Sequence, residues 1–300
     1  MDPFVRPQST IKRTARVSGK GYWSGTRVEV EFRPAPENQG ITFIRSDLPT
    51  QPRIKATVLN RAKGPRRTTL VEDGHSVEMV EHILAALKGL QIDNCEVWVN
   101  QPEMPGCDGS SVVFADALLQ AERIEQRAIN PYMTIDSVIR VGDENCWIQC
   151  EPTQSSGLDL TYQLEYWQPS IGEQTYSLKI TPSSFLDELA SARTFVLESE
   201  ANLMREQGLG QHVGYDEILV FGEDGPIQNK LRFGDECARH KMLDVIGDLA
   251  LTGVNIHGKF TAFKSGHRLN AMMARALIER LDTTTHSYSD SENRWFNKSA

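Results

Sequence analysis

Hydrophobic and polar positions alternate, then change period, twice along this 300-residue chain. From Arg27 to Phe32 apolar residues fall on every second position, which predicts a strand with one buried face. Turn chemistry follows from Pro34 to Gly40. From Ser76 the repeat lengthens. Val77, Val80, Leu84 and Leu87 recur at helical spacing, predicting a helix capped by Ser76 at its start and Gly89 at its end. Cys95–Asn100 reads as a strand, Gln101–Ser110 as a Pro- and Gly-rich loop, and Val112–Glu122 as a second helix. Gln126–Pro131 is the expected domain boundary, and beyond it the order begins again. Leu158, Leu160, Tyr162, Leu164 and Tyr166 alternate as a long strand. Helical patterns follow near Ser183–Ser191, Glu198–Gln207, Glu236–Leu251 and Asn270–Leu281. Strands followed by helices, twice over, predict an α+β fold in two halves of similar build, 1–128 and 129–282. A polar tail, 283–300, is expected to fray.

Composition narrows the function. Lys plus Arg number 32 against 40 Asp plus Glu, a net charge of -8, so no general basic field exists to hold DNA or RNA. A small anionic ligand would need local cations, and Gln51–Arg67 is one basic stretch. No apolar run is long enough to span a bilayer, and Met1–Arg16 has no apolar signal core, which predicts a cytoplasmic protein. The five cysteines are an odd number without framework spacing and read as reduced thiols; Cys146 and Cys150, four apart, would share a face of a strand.

Four segments carry candidate chemistry. His240, Asp244 and Asp248 are spaced i, i+4, i+8, one polar stripe on the predicted helix Glu236–Leu251. His240 and Asp244 can both reach one metal ion; a solvated polar face has the same spacing. Glu81 and His82 sit among Val80, Ile83, Leu84 and Ala85, where a charge and an imidazole are costly without partners. His82, His240 and Asp244 would make a His2Asp set with one open position, as hydrolytic zinc sites use; a core histidine beside a surface glutamate is the other reading. Lys264-Ser265-Gly266-His267 precedes the last helix, so His267 can act as acid or base with Asp248 orienting it, or be an ordinary loop histidine. In Ala192-Arg193-Thr194-Phe195, Thr194 offers a hydroxyl to a developing oxyanion, although composition alone gives only a turn. His75, His212, His257 and His286 have no partner at ligand spacing and read as structural or surface residues. There is no P-loop and no H-E-x-x-H motif.

Taken in order, these segments resemble the zinc-dependent UDP-3-O-acyl-N-acetylglucosamine deacetylases of lipid A biosynthesis. The resemblance runs from about Arg13 to Leu281, through Phe32–Pro36, Val80–Leu87, Gly89–Asn94, Asp108–Ser110, Ala192–Phe195, His240–Leu249 and Lys264–His267. It implies a zinc ion held by His82, His240 and Asp244, with Glu81 as the general base. It further implies that His267, protonated and oriented by Asp248, assists departure of the sugar amine, while Thr194 donates to the oxyanion. Lys241 and Lys264 would hold the nucleotide diphosphate, and Phe195 would flank the sugar. The implied fold is two domains, each a sheet with two helices, the helices lying between the sheets and the metal in the interdomain cleft. An insert in the second half would form a tunnel for the acyl chain.

The chain departs from the family at three places. Gly19-Lys20-Gly21-Tyr22-Trp23-Ser24-Gly25 stands where better-known members have a Leu-His-Thr-Gly type turn, with Trp23 in place of that histidine. Glu200 replaces a frequent Asp, and His212-Val213-Gly214 replaces a frequent Gly-Gly-Ser. No proposed ligand or catalytic group is lost. The reading is a zinc amidase acting on an acylated UDP-amino sugar; a deacetylase of another acylated nucleotide sugar and a noncatalytic binding protein are the alternatives.

Overall fold

A computed structural model describes the backbone of residues 6–296 and the side chains of residues 6–281. It is a mixed α+β structure built around two larger sheets. The first has five strands in the order Ala15–Lys20, Arg27–Pro34, Cys95–Val99, Ile41–Arg45, Arg53–Lys55. Its alternation is physical: Val28, Val30 and Phe32 are fully buried, while Arg27 and Glu29 are exposed. Helices α1 (Glu81–Gly89) and α2 (Val112–Gln120) follow the sequence of this half. Phe32 meets Phe114 of α2 edge to face at 6.5 Å.

The second sheet runs Ile139–Gly142, Trp147–Glu151, Asn255–Phe263, Leu158–Glu165, Glu173–Ile180, with Tyr132–Thr134 pairing beside Asn255–Phe263. Its helices are α3 (Pro182–Glu188), α4 (Glu198–Glu206), α5 (Glu236–Leu249) and α6 (His267–Phe296). Thr181 caps α3, its hydroxyl accepting from the Ser184 N–H at 3.1 Å, with Pro182 in the first turn. Beside α4, Phe195–Leu197 and Leu219–Phe221 form a small parallel pair.

Helices α1 and α5 are in close contact. At Gly247 a Cβ would lie 2.2 Å from the Glu81 carbonyl oxygen, so only glycine lets the two backbones approach this way. Both helices are largely buried, and one apolar cluster joins Leu84 and Leu87 of α1 to Val245 and Leu249 of α5.

Several sequence expectations need adjustment. Ser76 does not cap a helix. It lies in the strand His75–Glu78, which pairs with Thr69–Glu72 across Asp73 and Gly74. Both turn residues have positive φ (50° and 80°), as a type I′ hairpin turn requires. The helix begins only at Glu81, after Met79 takes φ 62° and breaks the strand. Gly89 is the last helical residue, and Gln91 takes the left-handed position. Gln126–Ile129, placed in a boundary segment, belongs to the strand Arg123–Ile129, which pairs antiparallel with Pro7–Ile11. Helix α6 starts at His267, ahead of Asn270, and its backbone continues to Phe296; His286 lies outside the residues whose side chains are described. Cys95, Cys150 and Cys237 are buried, Cys107 and Cys146 half-buried, and all five are free thiols. Among the described residues no helix is long and apolar enough to cross a membrane.

Candidate metal centre and catalytic cavity

A cavity of about 490 Å³ is lined by Glu81, His82, Thr194, Phe195, His240, Lys241, Asp244, Lys264 and His267. These nine residues lie far apart in sequence, yet all of those singled out from it meet here except Asp248, which stands behind His267.

Helix α1 supplies Glu81 and His82 from its first turn; helix α5 supplies His240 and Asp244 one turn apart. His240 Nε2 lies 3.5 Å and His82 Nε2 3.8 Å from Asp244 Oδ1. The two imidazoles meet edge to face, centroids 5.1 Å apart. His240 Nδ1 is 3.0 Å from the Ala192 carbonyl oxygen. A carbonyl only accepts, so Nδ1 carries the proton and Nε2 keeps its lone pair toward Asp244. Burial pushes the His82 pKa down to about 3. Burial lowers His240 too, so both imidazoles are neutral, as metal ligation needs. Burial alone would raise the Asp244 carboxyl, but the Lys241 charge beside it holds it well below the usual carboxylate range. Lys241 Nζ donates to Asp244 Oδ2 at 2.7 Å. Asp244 Oδ1, by contrast, is buried with no hydrogen-bond partner among the described residues.

That orphaned oxygen is the test of whether a metal fits. A buried carboxylate oxygen without a donor is costly, and a cation satisfies it. The three ligand atoms lie within 4.8 Å of one another. The 3.5 and 3.8 Å separations are close to the roughly 3.4 Å edge of a tetrahedron with bonds near 2.1 Å. Two neutral imidazoles and one carboxylate suit a divalent transition metal.

Beside the triad two titratable groups, His267 and Glu81, face each other. His267 Nε2 is 3.7 Å from Glu81 Oε1, and His267 Nδ1 is 2.9 Å from Asp248 Oδ2. Burial would lower the His267 pKa, but Asp248, Asp244 and Glu81 raise it to about 9. Glu81 is pushed up to about 7 by burial, against the lowering effect of His267 and with the Asp244 and Asp248 charges adding to the rise. Asp248 is fully buried and accepts three hydrogen bonds, from Thr68 Oγ1 at 2.6 Å, Asn270 Nδ2 at 2.8 Å and His267. The Thr68 backbone N–H also donates to Glu81 Oε2 at 3.1 Å, so one residue braces both members of the pair.

Thr194 and Phe195 reach the cavity on a turn held from beneath. The Thr194 N–H donates to the Gly109 carbonyl at 2.8 Å. Arg193, next to it, is buried and bridges to Glu236 in the first turn of α5, Nε to Oε1 at 2.8 Å. Phe195 packs edge to face on Tyr166 and Phe221. Lys264 adopts φ 50°, a strained backbone for a non-glycine residue of the kind that clusters at functional sites. Thr68, Asn270, Arg193 and Glu236 gave no sequence signal as site residues, because each acts across a long stretch of chain.

Comparison with known proteins agrees with the geometry. The profile of the UDP-3-O-acyl N-acetylglycosamine deacetylase (LpxC) family matches residues 8–279. The UDP-3-O-acyl-N-acetylglucosamine deacetylase of Psychrobacter arcticus is 36% identical over 277 residues, covering 91% of this chain and 86% of that protein. That of Histophilus somni is 37% identical over 295 residues, covering 95% and 94%. That of Syntrophus aciditrophicus is 33% identical over 279 residues, covering 93% and 88%. With its buried His82–His240–Asp244 group in place, the chain belongs to the UDP-3-O-acyl N-acetylglycosamine deacetylase family.

Proposed function

We propose that this protein hydrolyses the N-acetyl group of UDP-3-O-acyl-N-acetylglucosamine, releasing acetate and the free amine, as the committed step of lipid A biosynthesis. The observation that carries the reading is one cavity holding His82, His240 and Asp244 beside the Glu81–His267–Asp248 relay.

His82, His240 and Asp244 would hold zinc, for which two imidazoles and a carboxylate with an open position are a suitable catalytic set. When bound, zinc supplies a Lewis acid that polarises the amide carbonyl and makes water nucleophilic near neutral pH. The chain's own residues do the rest. Hydrolysis forms a bond from the water oxygen to the carbonyl carbon and breaks the C–N bond. It therefore needs one proton taken from water and one given to nitrogen. Glu81 is the base for the first, and Glu81 and His267 between them hold the proton for the second. Asp248 keeps His267 oriented. Thr194 donates toward the carbonyl oxygen as charge develops. Lys241 and Lys264 supply the positive charge for the UDP diphosphate in an otherwise acidic protein, and Phe195 flanks the sugar ring.

The architecture that suits this chemistry is two units, 1–128 and 129–282, each a sheet with its helices turned inward, so that α1 and α5 carry the metal ligands to a common cleft. A UDP-sugar substrate places the reaction in the cytoplasm. The Tyr22–Trp23 turn favours a second reading at the level of substrate, a deacetylase of the same build with a different acyl group or sugar.

The test is acetate release from UDP-3-O-acyl-N-acetylglucosamine by zinc-loaded protein, with a chelated sample alongside. Release that stops on chelation and returns with zinc supports the reading. A folded, zinc-loaded protein that releases no acetate overturns it.

A further inference from the structure

A second cavity, of about 260 Å³, touches the two helices that carry the candidate metal ligands, yet shares no lining residue with the catalytic one. Lys88 and Gly89 reach it from the end of α1, and Ile246 and Leu249 from α5. Its walls hold three cationic side chains, Arg6, Lys88 and Lys179, and no carboxylate. In a chain of net charge -8 this is a local reversal of sign.

The three cations are not equivalent. Arg6 is neutralised by Asp93, to which both of its terminal nitrogens donate at 2.7 Å. Asp93 also accepts the Ser9 N–H at 2.9 Å. Lys88 has no such partner. Its Nζ donates to the Val254 carbonyl at 2.8 Å and to Asn255 Oδ1 at 3.0 Å, both neutral, and among the described residues no carboxylate lies within ion-pair distance of it. Burial pushes the Lys88 pKa down to about 8 against the raising effect of Asp93, which leaves the ammonium form dominant near neutral pH. A desolvated ammonium held only by neutral acceptors is costly, and an anion offsets that cost. Two of its three N–H bonds are used, so one is left for a ligand. Lys179 is exposed on the rim, and it too has no carboxylate within ion-pair distance among the described residues.

Lys88 also borders a neighbouring cavity of about 200 Å³, but Asp93 is among the walls there, so an anion favours the first. Ile180, Ile246, Leu249 and Ile256 give that first cavity an apolar side. A cavity of about 150 Å³ accepts benzene, so about 260 Å³ has room for a ring of that size with a phosphoryl group beside it. Two ammonium groups match the nearly double charge of a phosphate monoester better than the single charge of a carboxylate.

We propose that this cavity is a second ligand site, taking a small phosphate monoester with its phosphoryl group on Lys88 and Lys179 and its apolar group against Ile246 and Leu249. The site stands apart from the deacetylase reading, because none of its residues takes part in that chemistry.

The experiment titrates phenyl phosphate into the zinc-loaded chain and follows the isoleucine and leucine methyl groups by NMR. The methyls of Ile246, Leu249 and Ile256 should shift together with a single Kd, on the order of 1 mM for so small a ligand. Phenol, which has the ring without the phosphoryl group, should bind about tenfold more weakly or worse. Lys88→Met should weaken phenyl phosphate by about tenfold or more, the scale of a lost hydrogen bond to a charged group. Lys179→Glu reverses the charge at the exposed, water-screened rim and should weaken it by about fivefold. Thermal melting and zinc content report whether each variant is folded, and Lys179→Glu decides the matter if Lys88→Met does not fold. Methyl shifts confined to Ile218 and Leu269, which line the catalytic cavity, would overturn the assignment. So would phenol binding as tightly as phenyl phosphate, or no shift at about 10 mM phenyl phosphate. A folded Lys88→Met protein that binds phenyl phosphate as wild type does would overturn it too, as would a Lys179→Glu protein that does so.

Discussion

The two ends of the cavity are built differently. At the metal end every group comes from a helix or is braced by one. Glu81 and His82 stand in the first turn of α1, His240 and Asp244 on α5, and Gly247 lets the two backbones approach closely. Asp248 accepts three hydrogen bonds, and Glu81 and His267 face each other at 3.7 Å. At the apolar end the walls are the 21–25 turn, the short helix α4 and the 209–220 segment, with single hydrogen bonds from Tyr22 to the Glu217 carbonyl and from His212 to the Gly21 carbonyl joining the turn to that segment. Reacting groups tolerate little displacement, and the residues proposed for the chemistry stand on packed helices; the apolar end is walled largely by loops, which can change without disturbing them.

Substitutions at the metal end should break the first region and leave the second alone. His82→Ala or Asp244→Ala should have the largest effect, removing bound metal, measured by elemental analysis of the purified protein, together with acetate release. Arg193→Ala strands Glu236, which is fully buried, and should cost about 3–5 kcal/mol in a denaturant melt. Gly247→Ala places a methyl against the Glu81 carbonyl and should cost about 1–3 kcal/mol. Because it displaces the base relative to the ligands, it should also lower the rate by about 100-fold, a loss visible in kcat. His212→Ala removes one hydrogen bond at the apolar end and should cost only about 0.5–1.5 kcal/mol, with metal content unchanged. A His212→Ala variant that lost its metal would dissolve the distinction between the two ends.

The sequence revealed the metal end more fully than its supports. The i, i+4 spacing of His240 and Asp244 and the apolar setting of Glu81–His82 are local signals, and resemblance to a family joined them into one site. Strands with one buried face, such as Arg27–Pro34 and Leu158–Glu165, were legible because a period of two is imposed by burial itself. The hairpin before α1 was missed, although Asp73-Gly74 is a strong turn signal, because Val77 and Val80 happen to fit a helical repeat with Leu84 and Leu87. Arg193–Glu236 and Thr68–Asp248 were illegible for another reason. Their partners lie 43 and 180 residues apart, and only the folded chain brings them together. Trp23 was visible as a departure from the family, but its position between the two ends of the cavity emerged only from the packing.

The central claim is that Glu81 does the proton chemistry while His82, His240 and Asp244 hold the metal. The most direct measurement is zinc content and acetate release for Glu81→Ala beside wild type. The account predicts zinc retained near the wild-type level and turnover reduced by at least about 100-fold, the scale of a lost general base. A zinc-loaded Glu81→Ala protein that turns over at near the wild-type rate would contradict it.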